Sequence, residues 1–179
     1  MPLSSPPIES FWTSVAGEGL AQGDYLFDCP VPIFPADYGQ TEGSSSVQVR
    51  RADLIVVTQS CDLENAKVSL VALCPILSIE LLKTVDEKYG RPDRLEEIRK
   101  GRIEALHMLS SPEWPEDSWG VRIVDFREIH SLPIAFLSGH AARAGTRWRL
   151  RPPYLEHFSQ AFARFFMRVG LPSAIRRFK

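Results

Sequence analysis

Ser60, Cys61 and Asp62 follow closely after residues 54–57 (LIVV), the most apolar β-type segment of the chain. The end of a buried strand is a place where a rigid scaffold presents side chains to a cleft. Cys61 would act as a nucleophile if a base activated its thiol, whereas a cysteine at a strand end is more often structural. Asp62 either caps the turn or joins Ser60 as a polar partner. These three residues are therefore candidate catalytic residues.

A base for Cys61 would have to come from one of four histidines, and their spacing does not choose among them: His107, His130, His140 and His157. One hypothesis is a Cys61-dependent enzyme with His107 as the base. The other interpretation of His107, which precedes apolar residues, is a hydrogen-bonded core histidine. A zinc site built from Cys61, Cys74 and His107 lacks the paired ligand spacing of known sites. We therefore expect no metal and no cofactor.

Arginines form the second group of candidate residues. From residue 143 onward there are nine basic residues and one acidic residue, so this part carries +8 and the remainder carries −9. Guanidinium groups bind phosphate oxygens bidentately and stay charged, which favours contact with RNA or another polyanion. The alternative is that they solvate a terminal helix and pair with acids elsewhere. The candidate nucleic-acid-binding residues are Arg50, Arg147, Arg149, Arg151, Arg164 and Arg168.

The composition is that of an ordinary globular protein. The chain has 179 residues, of which 44% are apolar and 24% charged, which excludes wholesale disorder and predicts one domain. No uncharged apolar run approaches the ~20 residues of a membrane helix, and the first residues do not resemble a secretion signal. Three cysteines without a CxxC pair form no disulfide framework. We expect a cytoplasmic protein without a membrane partner.

Apolar patterning predicts an α+β protein that is mainly β. Strands are expected at residues 23–29, 47–59, 68–74, 103–109 and 120–126, and a helical region at 77–101. Residues 1–22 are interpreted as a loose arm or one short helix, and residues 138–146 as a loop of small residues. An amphipathic helix begins after Pro153 and presents a stripe of phenylalanines. The expected division is an arm (1–22), a β domain (23–137) and a basic linker with the terminal helix (138–179).

Four segments together resemble the MazF/PemK-type toxins, which are small SH3-like β-barrels that cleave RNA: residues 23–28 (GDYLFD), 51–57 (RADLIVV), 68–75 (VSLVALCP) and 124–129 (VDFREI). The resemblance covers residues 23–137, with 77–101 as an apparent insertion. It implies that Arg51 acts on the scissile phosphate, and that a hydroxyl after the next strand assists, for which Ser78 is the nearest hydroxyl. It also implies a homodimer and a disordered antitoxin as protein partner.

The leading hypothesis is thus an RNA-binding, MazF-like protein of the toxin type, with RNA cleavage left open. Arg51 would hold the phosphate, and Ser60, Asp62 or Ser78 would be its polar partners. A non-catalytic interaction or regulatory module of a bacterial defence or mobile-element locus is the first alternative. The Cys61-dependent enzyme is the second. Gly-rich phosphate loops, GxSxG and HExxH are absent from the sequence, which argues against nucleotide hydrolysis and serine-hydrolase chemistry.

Overall fold

The computed structural model describes residues 10–39, 46–110 and 120–167. The strands of this part are β1 (Trp12–Ala16), β2 (Asp24–Ile33), β3 (Gln48–Val56), β4 (Leu70–Ser78), β5 (Leu106–Leu109), β6 (Arg122–Asp125), β7 (His130–Pro133) and β8 (Thr146–Leu150). The α-helices are α1 (Ser60–Glu64), α2 (Ile79–Val85), α3 (Pro92–Arg99), α4 (Ile134–Ala144) and α5 (Tyr154–Phe166). A short 3-10 helix (Glu87–Gly90) lies between α2 and α3.

All strand pairs are antiparallel, and the sheet order is β1-β8-β2-β3-β4-β6-β5, with β7 also paired to β4. The α+β class predicted from the sequence is confirmed. The described strands form an open sheet that is not closed into a small barrel, because β1 and β5 at its two ends share no ladder. The sheet curls nevertheless, and Trp12 Nε1 of β1 donates a hydrogen bond to the Ser110 carbonyl oxygen at 2.8 Å, just after β5.

The second half of strand β3, residues 54–56, is buried on both faces, as its run of apolar residues predicts, whereas the first half is exposed. Leu54 and Val56 belong to a core that also contains Leu137 of α4. Ile55 belongs to a second core on the other face, together with Phe158 of α5. Because successive side chains of a strand point to opposite faces, two helices on opposite sides of the sheet require an unbroken apolar run. This half of β3 is thus covered on both faces, and it pairs with β2 along one edge and with β4 along the other.

A β-bulge interrupts the pairing of β2 with β3 between Leu26 and Cys29. Asp28 lies in the bulge with φ of +47°, a left-handed conformation that aspartate tolerates better than most residues. The Asp28 backbone N–H donates to Asp53 Oδ1 at 2.9 Å, which holds the bulged residue over β3. Bulges re-aim side chains at the edges of functional sites, and this one turns Asp28 towards Arg51.

Two other sequence-based predictions are corrected by the structure. The arm contains a strand, β1, which pairs with β8 along its whole length. The predicted loop at 138–146 is largely helix α4, whose Leu137 and Ala141 pack into the core and which ends at Gly145 with φ of +78°. Alanine is a strong helix former, so Ala141, Ala142 and Ala144 favour a helix here once one face is buried, although the segment also contains glycine and serine. By contrast, the predicted helices at 77–101 and after Pro153 are confirmed.

Candidate functional site

An open cavity of about 440 Å³ lies where β3, β4 and β6 meet. We call it the arginine cavity; its polar lining residues are Asp28, Arg50, Arg51, Asp53, Ser78, Arg122 and Glu128. Pro75, Ile76 and Leu77 of β4 and Leu81 of α2 form its apolar wall. The structure thus places Arg51 and Ser78, two of the predicted site residues, around one cavity, together with Arg50.

The two rim arginines are half-exposed and paired. Arg51 Nη1 donates to Asp28 Oδ2 at 3.2 Å and to the Asp28 carbonyl oxygen at 3.0 Å, and its side chain is 61% exposed. Arg50 forms an ion pair with Glu128, and both side chains are close to half-exposed. Exposed pairs of this kind contribute about 0–1 kcal/mol. An incoming phosphate can therefore replace either carboxylate at small cost.

The floor of the cavity is held by a buried network. Tyr25 is fully buried, and its hydroxyl donates to Asp53 Oδ2 at 2.9 Å. Burial and the neighbouring Asp53 carboxylate raise the pKa of Tyr25 far above its usual range, so the hydroxyl remains a donor at any working pH. Arg122 is 8% exposed and lies beside the same hydroxyl. Both Asp53 oxygens thus accept hydrogen bonds from the protein, one from the Tyr25 hydroxyl and one from the Asp28 backbone N–H, and these bonds hold the floor of the cavity in place.

Ser78 has two roles available. Its Oγ accepts a hydrogen bond from the Leu81 backbone N–H at 3.1 Å and caps α2. A hydroxyl has one donor besides its acceptor lone pairs, so the capping bond leaves the Ser78 proton for a ligand in the cavity. Ser78 thus lines the arginine cavity, and its catalytic role stays a prediction.

Glu128 was missed by the sequence reasoning, although it lies in the segment that carries the resemblance. The preceding turn is fixed by Asp125, which accepts bonds from Arg127 Nε at 2.8 Å, Arg127 Nη2 at 2.6 Å and the Arg127 backbone N–H at 2.9 Å. Asp125 and Arg127 thus form an ion pair within the turn itself. The turn brings Glu128 to the cavity rim opposite Arg50.

Ser60, Cys61 and Asp62 lie elsewhere, in α1 beyond the far end of β3. Val56 comes five positions after Arg51 along β3, which is roughly 16 Å at the rise of a β-strand. Ser60 Oγ accepts from the Gln22 backbone N–H at 3.1 Å, and Asp62 Oδ1 lies 3.4 Å from Lys67 Nζ. The structure therefore does not bring Ser60 or Asp62 to Arg51 as the expected polar partners, and neither lines the arginine cavity.

Cys61 is exposed, and its Sγ lies 3.7 Å from Gln59 Oε1 and 3.8 Å from Asp62 Oδ1. His107 is half-buried on β5, where its ring packs against Phe126 and Phe158. The proposed base and nucleophile thus have different neighbours, and the structure does not assemble them. Within residues 10–39, 46–110 and 120–167, no cluster of three metal-binding side chains is found.

Arg147 and Arg149, predicted to bind nucleic acid, both turn towards Asp24. Arg147 Nε lies 2.9 Å from Asp24 Oδ2, and Arg149 Nη2 lies 2.9 Å from the same oxygen. Asp24 is fully buried and Arg147 is 3% exposed, so the Arg147 guanidinium is out of reach of a phosphate. Alternate residues of β8 share a face, which brings both arginines to one carboxylate.

The remaining tail arginines are placed differently. Arg151 and Arg164 are exposed, and Arg168 lies outside the described residues.

No helix among the described residues is long and apolar enough to cross a membrane.

We expect the stability of the protein to fall with acid because of His107. Burial, and then the charge of His157, lower the pKa of His107 from 6.5 to about 4. The unfolded chain therefore binds a proton first, and the stabilisation present above about pH 6.5 is lost as pH falls towards 4. In urea unfolding, the wild type should lose about 1–2 kcal/mol more than His107→Gln between about pH 7 and pH 5. Equal losses would contradict this account.

A scan against protein-family models, a search of curated proteins and a search of solved structures each find no match.

Proposed function

We propose that the protein binds RNA and that the arginine cavity holds a backbone phosphate. The observation that carries the proposal is the convergence of Arg50, Arg51 and the Ser78 hydroxyl on one open cavity. Two guanidinium groups and one hydroxyl donor match the oxygens of a phosphodiester. The rim pairs with Asp28 and Glu128 are exposed, so they can open for a ligand.

The same site supports RNA cleavage by the ribose 2′-hydroxyl. In this reaction the O2′–P bond forms and the P–O5′ bond breaks, leaving a 2′,3′-cyclic phosphate and a 5′-hydroxyl. Glu128 would accept the 2′-hydroxyl proton, and the departing 5′-oxygen would take a proton from water. Arg51 and Ser78 would stabilise the negative charge that develops on the phosphate.

The resemblance to MazF/PemK-type toxins supports this proposal from the sequence side. Under it, β2, β3 and β4 would be the divergent counterpart of the family's SH3-like barrel, and the helices at 77–101 would be an insertion. A cytoplasmic homodimer that is regulated by a disordered antitoxin would complete the proposal.

One observation favours a second candidate function, a non-catalytic interaction module. Three arginines in the lining of the cavity are accompanied by three carboxylates, those of Asp28, Asp53 and Glu128. Asp28 and Glu128 are engaged in ion pairs with Arg51 and Arg50, and Asp53 accepts a hydrogen bond from Tyr25, so the cavity offers paired charges for binding. RNA that is bound but recovered intact would identify this second function.

Replacing Arg51 by alanine is expected to weaken binding of a single-stranded RNA about tenfold, because one charge-assisted phosphate contact is lost. The slope of log K against log salt should become shallower by about 0.7. Fluorescence anisotropy of a labelled RNA at several salt concentrations measures both quantities.

Arg91→Ala provides the matched control. Arg91 is 66% exposed and pairs with Asp93, much as Arg51 is 61% exposed and pairs with Asp28, but it lies outside the arginine cavity. Its removal should leave the affinity within a factor of two to three of the wild type. Equal affinities for the Arg51→Ala variant and the wild type would exclude the arginine cavity as the RNA site.

A further inference from the structure

A second site lies between α5, β5 and the end of α3, away from the arginine cavity. It consists of two adjoining cavities of about 450 and 270 Å³, which share Arg99, His107, Met108 and His157. We call the pair the His107 groove. Its combined size falls within the range of small-molecule sites, which usually occupy about 300–1,000 Å³.

One end of the groove is apolar and aromatic. Leu109 and Val121 line it, and the rings of Phe11 and Tyr154 form a rigid wall with centroids 3.6 Å apart and planes inclined by 14°. Stacking on aromatic side chains is a common way to hold nucleobases, worth about 1–3 kcal/mol per base. This end therefore suits a flat aromatic ring.

The other end is basic. Arg99, Lys100 and Arg164 line it, and no carboxylate is among the described lining residues of either cavity. Glu96 pairs with both Arg99 and Lys100, so one carboxylate serves two cations. Arg164 has no ion pair within the described part of the chain. The basic end thus has an excess of positive charge, in contrast to the balanced arginine cavity.

His107 lies at the junction of the two ends. Its ring nitrogens have no hydrogen-bond partner among the described residues, although the side chain is half-buried. A neutral imidazole offers one donor and one acceptor, which is what the edge of a nucleobase requires. We propose that the His107 groove binds a nucleotide, with the base at the Phe11–Tyr154 end and the phosphate against Arg164 and Arg99.

Calorimetry with the full chain measures the binding of AMP, GMP, CMP and UMP, of their four nucleosides, and of ribose 5-phosphate. At least one nucleotide should bind saturably and more tightly than its own nucleoside and than ribose 5-phosphate. Arg164→Ala should weaken that nucleotide about tenfold through the lost charge-assisted bond and leave its nucleoside unchanged. His107→Gln should weaken both the nucleotide and its nucleoside.

Arg51→Ala separates this proposal from the proposed function. It should leave nucleotide affinity unchanged, whereas loss of nucleotide binding in Arg51→Ala alone would place the ligand in the arginine cavity and overturn the proposal. Absence of saturable binding by all four nucleotides, or ribose 5-phosphate binding as tightly as they do, would also overturn it. A short RNA whose binding depends on Arg164 would show that the groove takes a nucleotide within a strand, and an RNA that ignores Arg164 would show that it takes the free molecule.

Discussion

Replacing Asp24 by asparagine is expected to lower the free energy of unfolding by about 3–5 kcal/mol. Asp24 is fully buried between Arg147 and Arg149, and it also accepts a bond from the Ala21 backbone N–H at 3.1 Å. Asparagine keeps the shape but removes the charge, so the Arg147 guanidinium would stay buried without a counter-ion. The large effect comes from that unpaired charge, since an intact buried pair is only weakly stabilising.

Urea unfolding at neutral pH measures the effect, with Asp93→Asn as the control. Asp93 is an aspartate that also pairs with an arginine, Arg91, but both side chains are mostly exposed. Its substitution should cost less than about 1 kcal/mol. A double variant, Asp24→Leu with Arg147→Met, should be more stable than Asp24→Asn because the fully buried Arg147 charge is removed with its partner, while Arg149, the other partner of Asp24, is 29% exposed and can reach water. A loss of less than 1 kcal/mol in Asp24→Asn would contradict the account.

Replacing Phe158 by alanine is expected to destabilise the protein by about 3–5 kcal/mol. Phe158 of α5 is fully buried and packs against Phe126 and His107 beneath the sheet. The ring is large and its neighbours come from the sheet as well as the helix, so the cavity left behind could close only in part. The removed surface and the residual cavity therefore both add to the cost.

Phe166→Ala, on the same helix, is the matched control for Phe158→Ala. The Phe166 side chain is 53% exposed, so its loss should cost less than about 1 kcal/mol. Thermal unfolding of the two variants compares the same chemical change at two depths. Similar costs for both variants would mean that α5 does not pack against the sheet through Phe158.

The buried elements could be predicted from the sequence because their patterns have few alternative explanations. Residues 54–57 are apolar on both faces and three of the four are β-branched, which favours a strand covered on both sides over a buried helix. The α5 helix likewise showed a 3.6-residue period after a proline. By contrast, β1 is short and contains polar residues, and α4 is rich in small residues, so their structures depend on β8 and on the core that cover them.

The candidate site could be predicted in part. Arg51 and Ser78 were identified on the resemblance, and the structure places them around one cavity. Asp28 and Glu128, the ion-pair partners of Arg51 and Arg50, are placed by a bulge and by a turn. The local sequence does not show how a bulge or a turn directs a side chain. Ser60 and Asp62 were expected beside Arg51 because both groups flank one apolar segment, but they lie at opposite ends of strand β3.

Arg147 shows the limit of charge counting. The basic tail suggested a phosphate-binding surface, yet its central Arg-Trp-Arg run forms β8 and turns two arginines to a buried aspartate. The alternation of a strand would have grouped Arg147 with Arg149, but not with Asp24, which is more than 120 residues away. Ion pairs between residues far apart in the sequence can be predicted only when the order and pairing of the strands are known.

The most direct test of the central claim is NMR observation of the arginine side-chain Nε–Hε signals during titration with a short single-stranded RNA. Signals would be assigned by Arg51→Ala and Arg91→Ala. If RNA binds in the arginine cavity, the Arg51 signal shifts and saturates with the same affinity as RNA binding measured by anisotropy. The Arg91 signal stays in place. An Arg51 signal that does not move at saturating RNA would contradict the claim.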